Sequence, residues 1–210
     1  MSLPEFQVCE NDITEEILTA YLADPVLAVD TEAMGLLPHR DRLCTIQLSN
    51  AVGQTVVVRF ARGVSDAPNL KTLLEASQTI KTFHYARFDI AMLLHHFDIR
   101  TQPLFCTKIA SKIARTYTDK HGLKDVVLDL CGIELDKTAQ SSDWGAVQEL
   151  SETQLRYAAN DVRYLIPLRA RLIHMLKREE RLHLAEACFT FLPTRAELDL
   201  FGYSDILKHH

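Results

Sequence analysis

The run Pro25-Val26-Leu27-Ala28-Val29 leads straight into Asp30-Thr31-Glu32. A short apolar run after a proline reads as a buried strand. Residues two apart on a strand point to the same face, so Asp30 and Glu32 project together where that strand ends. Like charges this close repel unless a cation sits between them or a proton is shared. Hard divalent cations such as Mg²⁺ take oxygen ligands of this kind. Taken alone, the pair also reads as two ordinary surface acids at a strand end.

Around this strand the pattern predicts strands over 43–48, 55–60, 79–83 and 103–106, with Gly53 at a hairpin-like turn. Helices are expected over 68–74, 86–97, 107–114 and 123–130. A longer helical region starts at Ser151, where Ser151-Glu-Thr-Gln154 forms a capping box, and Pro167 should kink or interrupt it. Strands first, then alternation, then helices suggest an α/β protein with a mixed central sheet flanked by helices. The 210 residues fit one domain, with a core over about 20–190 and a C-terminal extension over about 188–210. A chain of this size buries about 70% of its unfolded surface, so neither a disulfide nor a metal is needed to hold it.

Composition narrows the function. Seven glycines make a glycine-rich cofactor loop an unlikely device. Five scattered cysteines without a CxxC pair point to a reducing, cytoplasmic setting. Residues 1–10 have neither the basic start nor the apolar core of a signal peptide, and no apolar run approaches the roughly 18 residues a membrane helix needs. Lys+Arg 23 against Asp+Glu 28 leaves a net charge of −5. Proteins that grip long nucleic acid without regard to sequence usually carry a basic balance, so this chain would need a local patch, a short substrate or bound cations.

Two further clusters carry chemistry. His84-Tyr-Ala-Arg-Phe-Asp89 opens the helix expected over 86–97, and Asp89 near that N-terminus is favoured by the macrodipole; a strand-end histidine and a first-turn acid are the plain reading. Tyr157 and Asp161 lie four apart on a helix and share a face; the plain reading has the tyrosine in the core and the aspartate on the surface.

In this order, Asp-x-Glu, His-x-Ala-x-x-Asp and Tyr-x-x-x-Asp resemble the three motifs of the DEDD superfamily of 3′–5′ exonucleases, in the subgroup with tyrosine in the third motif. The resemblance spans about residues 26–170 and implies a ribonuclease H-like fold. Cys106-Thr-Lys-Ile-Ala110, Gly122-Leu-Lys-Asp125, Ser142-Asp-Trp144 and Tyr164-Leu-Ile-Pro167 look like ribonuclease D. Ribonuclease D continues into helical nucleic-acid-binding domains, and this sequence ends before them. Pro38-His-Arg-Asp-Arg-Leu43, Arg115-Thr-Tyr-Thr118 and Cys188-Phe-Thr-Phe-Leu-Pro193 look most like the nanoRNase C group, whose enzymes degrade very short RNA, diribonucleotides above all, and assemble into rings.

The resemblance implies two divalent cations, Mg²⁺ or Mn²⁺, roughly 4 Å apart, stabilising the attacking and leaving oxygens of a phosphodiester displacement. Asp30 would bridge both, Glu32 and Asp161 would complete the water-activating site, and Asp89 would hold the second ion. Tyr157 would orient the water, its ordinary pKa near 10 arguing against an easy base role. Glu32 would also meet the substrate 3′-hydroxyl, giving 3′-to-5′ polarity and nucleoside 5′-monophosphate products.

Candidate substrate contacts are Met34, Gly35, Leu36, His84 and Lys108. In related enzymes the position of Leu36 wedges between the last two bases, and an apolar side chain stacks on any base; Leu36 as a core residue is the other reading. Arg40, Arg42, Arg100, Lys108, Lys112, Arg115, Lys120, Lys124 and Lys137 could hold phosphate or form a solvated helix face. Apolar Phe189, Phe191, Leu192, Leu198, Leu200 and Phe201 suggest a homo-oligomer interface. The reading is an exoribonuclease for short oligonucleotides. The alternatives are a broader ribonuclease D-like exonuclease on longer RNA or single-stranded DNA and a catalytically silent ring-forming binding module, against which the full set of four carboxylates and a tyrosine argues.

Overall fold

A computed structural model describes residues 6–135, 143–203 and 206–207. Lys137 and Ser142, both singled out in the sequence, lie outside the described residues. Six strands form one mixed sheet: β1 (Gln7–Glu10), β2 (Val26–Ala33), β3 (Leu43–Asn50), β4 (Thr55–Arg59), β5 (Ile80–Phe83) and β6 (Leu104–Cys106), in the spatial order β1-β4-β3-β2-β5-β6. The helices are α1 (Glu15–Leu22), α2 (Pro68–Glu75), α3 (Ala86–Phe97), α4 (Thr107–Ala114), α5 (Leu123–Cys131), α6 (Glu152–Arg163), α7 (Leu165–Arg178) and α8 (Leu182–Leu200). This is an α/β fold of the ribonuclease H-like type, as expected.

Strand direction positions the site. β2, β5 and β6 run parallel, with Ala28 opposite Thr82 and Phe83 opposite Cys106. Their C-terminal ends therefore share one edge of the sheet. Asp30–Glu32, His84–Asp89 and Thr107–Lys108 meet there although they are far apart in sequence. β3 is antiparallel to β2, with Asp30 opposite Gln47, so the connection over 34–42 rims the same edge. A register shift between Glu32 and Ala33 is a bulge of the kind that re-aims side chains near active sites. Every residue of β3 is buried, and α6 packs across β2, β3 and β4, bringing Tyr157 and Asp161 over the strand that carries Asp30.

The helix expected from Ser151 is broken as Pro167 demands. α6 ends at Arg163 and α7 starts at Leu165, so the proline falls in a first turn, where its missing N–H costs no helical bond. The capping box at Ser151 is formed in full. Gly53 turns between β3 and β4 at φ +81°, a left-handed conformation that glycine adopts freely. β1 and α1 are two elements that the sequence reading did not predict. β1 buries only Cys9, too little for a pattern, but the Thr14 hydroxyl accepts from Ile17 N–H with Glu15 and Glu16 behind it, an N-terminus signal that was readable.

The interface guess needs correction. Phe189 and Leu192 are buried, and α8 packs on α3; Phe191 and Phe201 remain exposed. No helix among the described residues is long and apolar enough to cross a membrane.

Candidate active site

One carboxylate oxygen each from Asp30, Glu32 and Asp161 lie within 4.8 Å of one another. Asp30 and Glu32 come from one face of β2, Asp161 from α6. The first two are half-buried and Asp161 is buried. Three anions this close are mutually repulsive without a counter-charge. All three donors are oxygens, which suits a hard divalent cation. Among the described residues this is the one group of three or more acidic, histidine or cysteine side chains clustered so tightly.

Asp89 is not a member of that trio. It is buried, and the Thr31 hydroxyl donates to its Oδ1 at 2.7 Å. Burial raises its pKa to about 7, against the hydrogen bond from Thr31, which lowers it. Tyr157 stands one turn before Asp161 on α6 and hydrogen-bonds to that carboxylate. Burial first, and then the Asp161, Glu32 and Asp30 charges, push the phenol well above its ordinary value, so it holds its proton. Trp144 packs beside it, with ring centroids 6.2 Å apart.

A cavity of about 700 Å³ opens over these groups. Its lining includes Asp30, Glu32, Tyr157 and Asp161 together with the cations Lys108 and Lys124. Met34, Gly35 and Leu36 supply the rim, and His84 reaches the cavity as well. Leu36 is 78% exposed, so it is not a core residue. Gly35 has no room for a side chain, because a Cβ there would come within 2.3 Å of Asp41 Oδ2. That aspartate accepts from the Leu37 N–H at 2.9 Å and from Arg40, and so shapes the rim. The Thr107 hydroxyl donates to the Phe83 carbonyl at 3.0 Å. His84 Nδ1 lies 2.9 Å from the Thr107 hydroxyl oxygen, whose proton is already given to the carbonyl, and is therefore the donor of that pair.

The other basic candidates separate. Arg100 pairs with Glu197, and Arg115 is buried against Asp129, Ser111 and Lys120. Arg42 donates to the carbonyls of Phe60 and Gly145. These hold the fold. Trp144 was visible in the sequence only inside a lesser motif and Lys124 only as one of several basic candidates, and it is their place in the cavity lining that marks them.

A family model described as 3′-5′ exonuclease matches residues 7–177. Ribonuclease D of Gluconacetobacter diazotrophicus is 36% identical over 159 residues, which are 76% of this chain and 40% of that protein. The chain thus spans about 40% of the length of these curated relatives. The structure of Brucella melitensis NrnC with bound Mg²⁺ aligns with a TM-score of 0.92 at 47% identity, over 98% of this chain and 99% of that one. The same protein bound to pGG aligns with a TM-score of 0.92 at 48% identity, over 98% of each. With the three motif clusters on one sheet edge and these likenesses along nearly the whole length, the chain belongs to the 3′–5′ exonuclease family, as a ribonuclease D-like and NrnC-like enzyme.

Proposed function

We propose that this enzyme is a divalent-metal-dependent 3′–5′ exoribonuclease of the cytoplasm, specialised for very short oligonucleotides, dinucleotides above all, and active as a homo-oligomer. The observation that supports the reading best is the cavity itself: the acidic cluster and two lysines line one cleft, and an exposed leucine is among its lining residues. The net charge of −5 disfavours a long phosphate track. Brucella NrnC, similar over its whole length, has been solved with pGG.

Asp30, Glu32 and Asp161 would hold the divalent cations, with Asp89 behind them. When bound, such ions supply positive charge to phosphate oxygens and lower the pKa of water. Tyr157 keeps its proton, so its phenol oxygen orients the attacking water and does not deprotonate it. Glu32, at the strand end, would meet the terminal 3′-hydroxyl. Lys108 and Lys124 offer point charges to the phosphate's remaining oxygens, and Leu36 offers an apolar face to a base. Exposed Phe191, Phe201 and Tyr203 form the apolar surface of an oligomer contact.

A second reading, a general exonuclease on longer RNA or single-stranded DNA, has one observation in its favour. A neighbouring cavity of about 740 Å³ shares Met34 and carries Arg40, Arg42 and Arg62. Rates on a length series with Mg²⁺ or Mn²⁺ separate the two. The proposal expects a higher kcat/KM for a 5′-phosphorylated dinucleotide than for a 20-mer, from an oligomeric protein. Equal or faster processing of the 20-mer by a monomer rejects it.

A further inference from the structure

Tyr85 has φ 71° and ψ 40°, a left-handed conformation that glycine and asparagine tolerate and that is a true outlier for a bulky residue. Core burial does not explain the strain, since Tyr85 is 47% exposed. A second local rule is broken alongside. Lys108 occupies the second residue of α4, at the positive end of a helix, where a cation is disfavoured. The two are in contact: Lys108 Nζ lies 4.3 Å from the centroid of the Tyr85 ring.

The contact stands on a fixed base. Phe83 at the end of β5 and Cys106 at the end of β6 are buried and paired in register, so the segments that follow them, opening α3 and α4, start side by side. The His84–Thr107 hydrogen bond joins the same two segments. The starts of α3 and α4 are thus held together beneath the pair. Lys108 lines the same cavity as the carboxylates, and His84, the neighbour of Tyr85, lines it too. Unfavourable local choices that converge on one spot beside a cleft are characteristic of functional sites.

We infer that Tyr85 is a positioning residue, whose ring holds the Lys108 ammonium at the cavity wall to receive an anionic phosphate oxygen of the substrate. A free lysine side chain samples many rotamers and is strongly hydrated; a cation over an aromatic face is restrained and partly desolvated in advance. The strained backbone at Tyr85 aims the ring at α4 and is retained for that purpose. The inference rests on the reading of the cavity as a phosphodiester site.

The test is a double-mutant cycle in the full chain, with KM, kcat and Tm measured on a 5′-phosphorylated dinucleotide and on a 20-mer. Tyr85→Asn suits the left-handed backbone and lacks the ring; it should raise KM roughly threefold to tenfold, keep kcat within about twofold, and hold or raise Tm. Tyr85→Phe should restore the wild-type KM. Lys108→Gln should raise KM about tenfold or more, and adding Tyr85→Asn should not raise it further. A wild-type KM in Tyr85→Asn, or effects that multiply in the double variant, overturns the inference. If the wild type acts only on the 20-mer, the dinucleotide reading fails and the cycle is read on the 20-mer. If it hydrolyses neither, the exonuclease mechanism fails and the cycle is read from dinucleotide Kd.

Discussion

The Thr31 hydroxyl donates a 2.7 Å hydrogen bond to Asp89 Oδ1, so the residue between Asp30 and Glu32 holds the carboxylate that comes from the next parallel strand and helix. One tripeptide at the end of β2 therefore organises both halves of the acidic cluster. Its alternating side chains send two acids toward Asp161 and one hydroxyl toward Asp89.

Asp30→Asn should abolish turnover and leave Tm unchanged or raised, because it removes one of three anions clustered within 4.8 Å. Excess EDTA should likewise abolish turnover. Thermal melts and rate measurements check both, and full activity in either condition refutes metal-dependent chemistry at this cluster.

Tyr157→Phe should slow the chemical step roughly 10²- to 10⁴-fold, the usual range for a positioned proton or water partner. Because its pKa is pushed above the ordinary value by burial and the surrounding carboxylates, the wild-type pH–rate profile should show no phenol ionisation near 10. Single-turnover rates across pH decide the point. A wild-type rate in the phenylalanine variant makes Tyr157 a packing residue.

Leu36→Ala should raise KM about fivefold to a hundredfold if the side chain stacks on a base. Tm should not move, since Leu36 is 78% exposed and its truncation leaves no cavity. Unchanged KM removes Leu36 from the binding surface.

His39, His95 and His96 form a cluster, with ring centroids 4.7 Å apart for His39–His95 and 4.9 Å for His95–His96. Burial comes first in lowering the pKa of His95 and of His96, and neighbouring positive charge adds to it. The folded values therefore lie below the unfolded value near 6.5, and the unfolded state takes up protons first on acidification. This contribution to stability is complete above about pH 6.5 and is lost as pH falls through the lower folded values. Urea midpoints at pH 7 and pH 5 should drop for the wild type and drop less for His95→Gln. Equal drops refute the assignment.

The apolar run at Val26–Val29, the capping box at Ser151 and the proline break before α7 were all readable in the sequence, because each is enforced by neighbours within a few residues. So were the three motifs, whose segments the fold brings to one edge of the sheet. What the chain alone left open depended on contacts between distant segments. Parallel pairing of β2, β5 and β6 put Lys108 on the site and left Arg100 and Arg115 as structural ion-pair partners, although all three sat in one basic run. The same geometry exposed Leu36, buried Phe189 and Leu192, and set Asp89 behind Thr31, apart from the acidic trio. Local periodicity specifies which face a side chain takes; only the packed sheet decides what lies opposite that face, and burial and charge pairing follow from that.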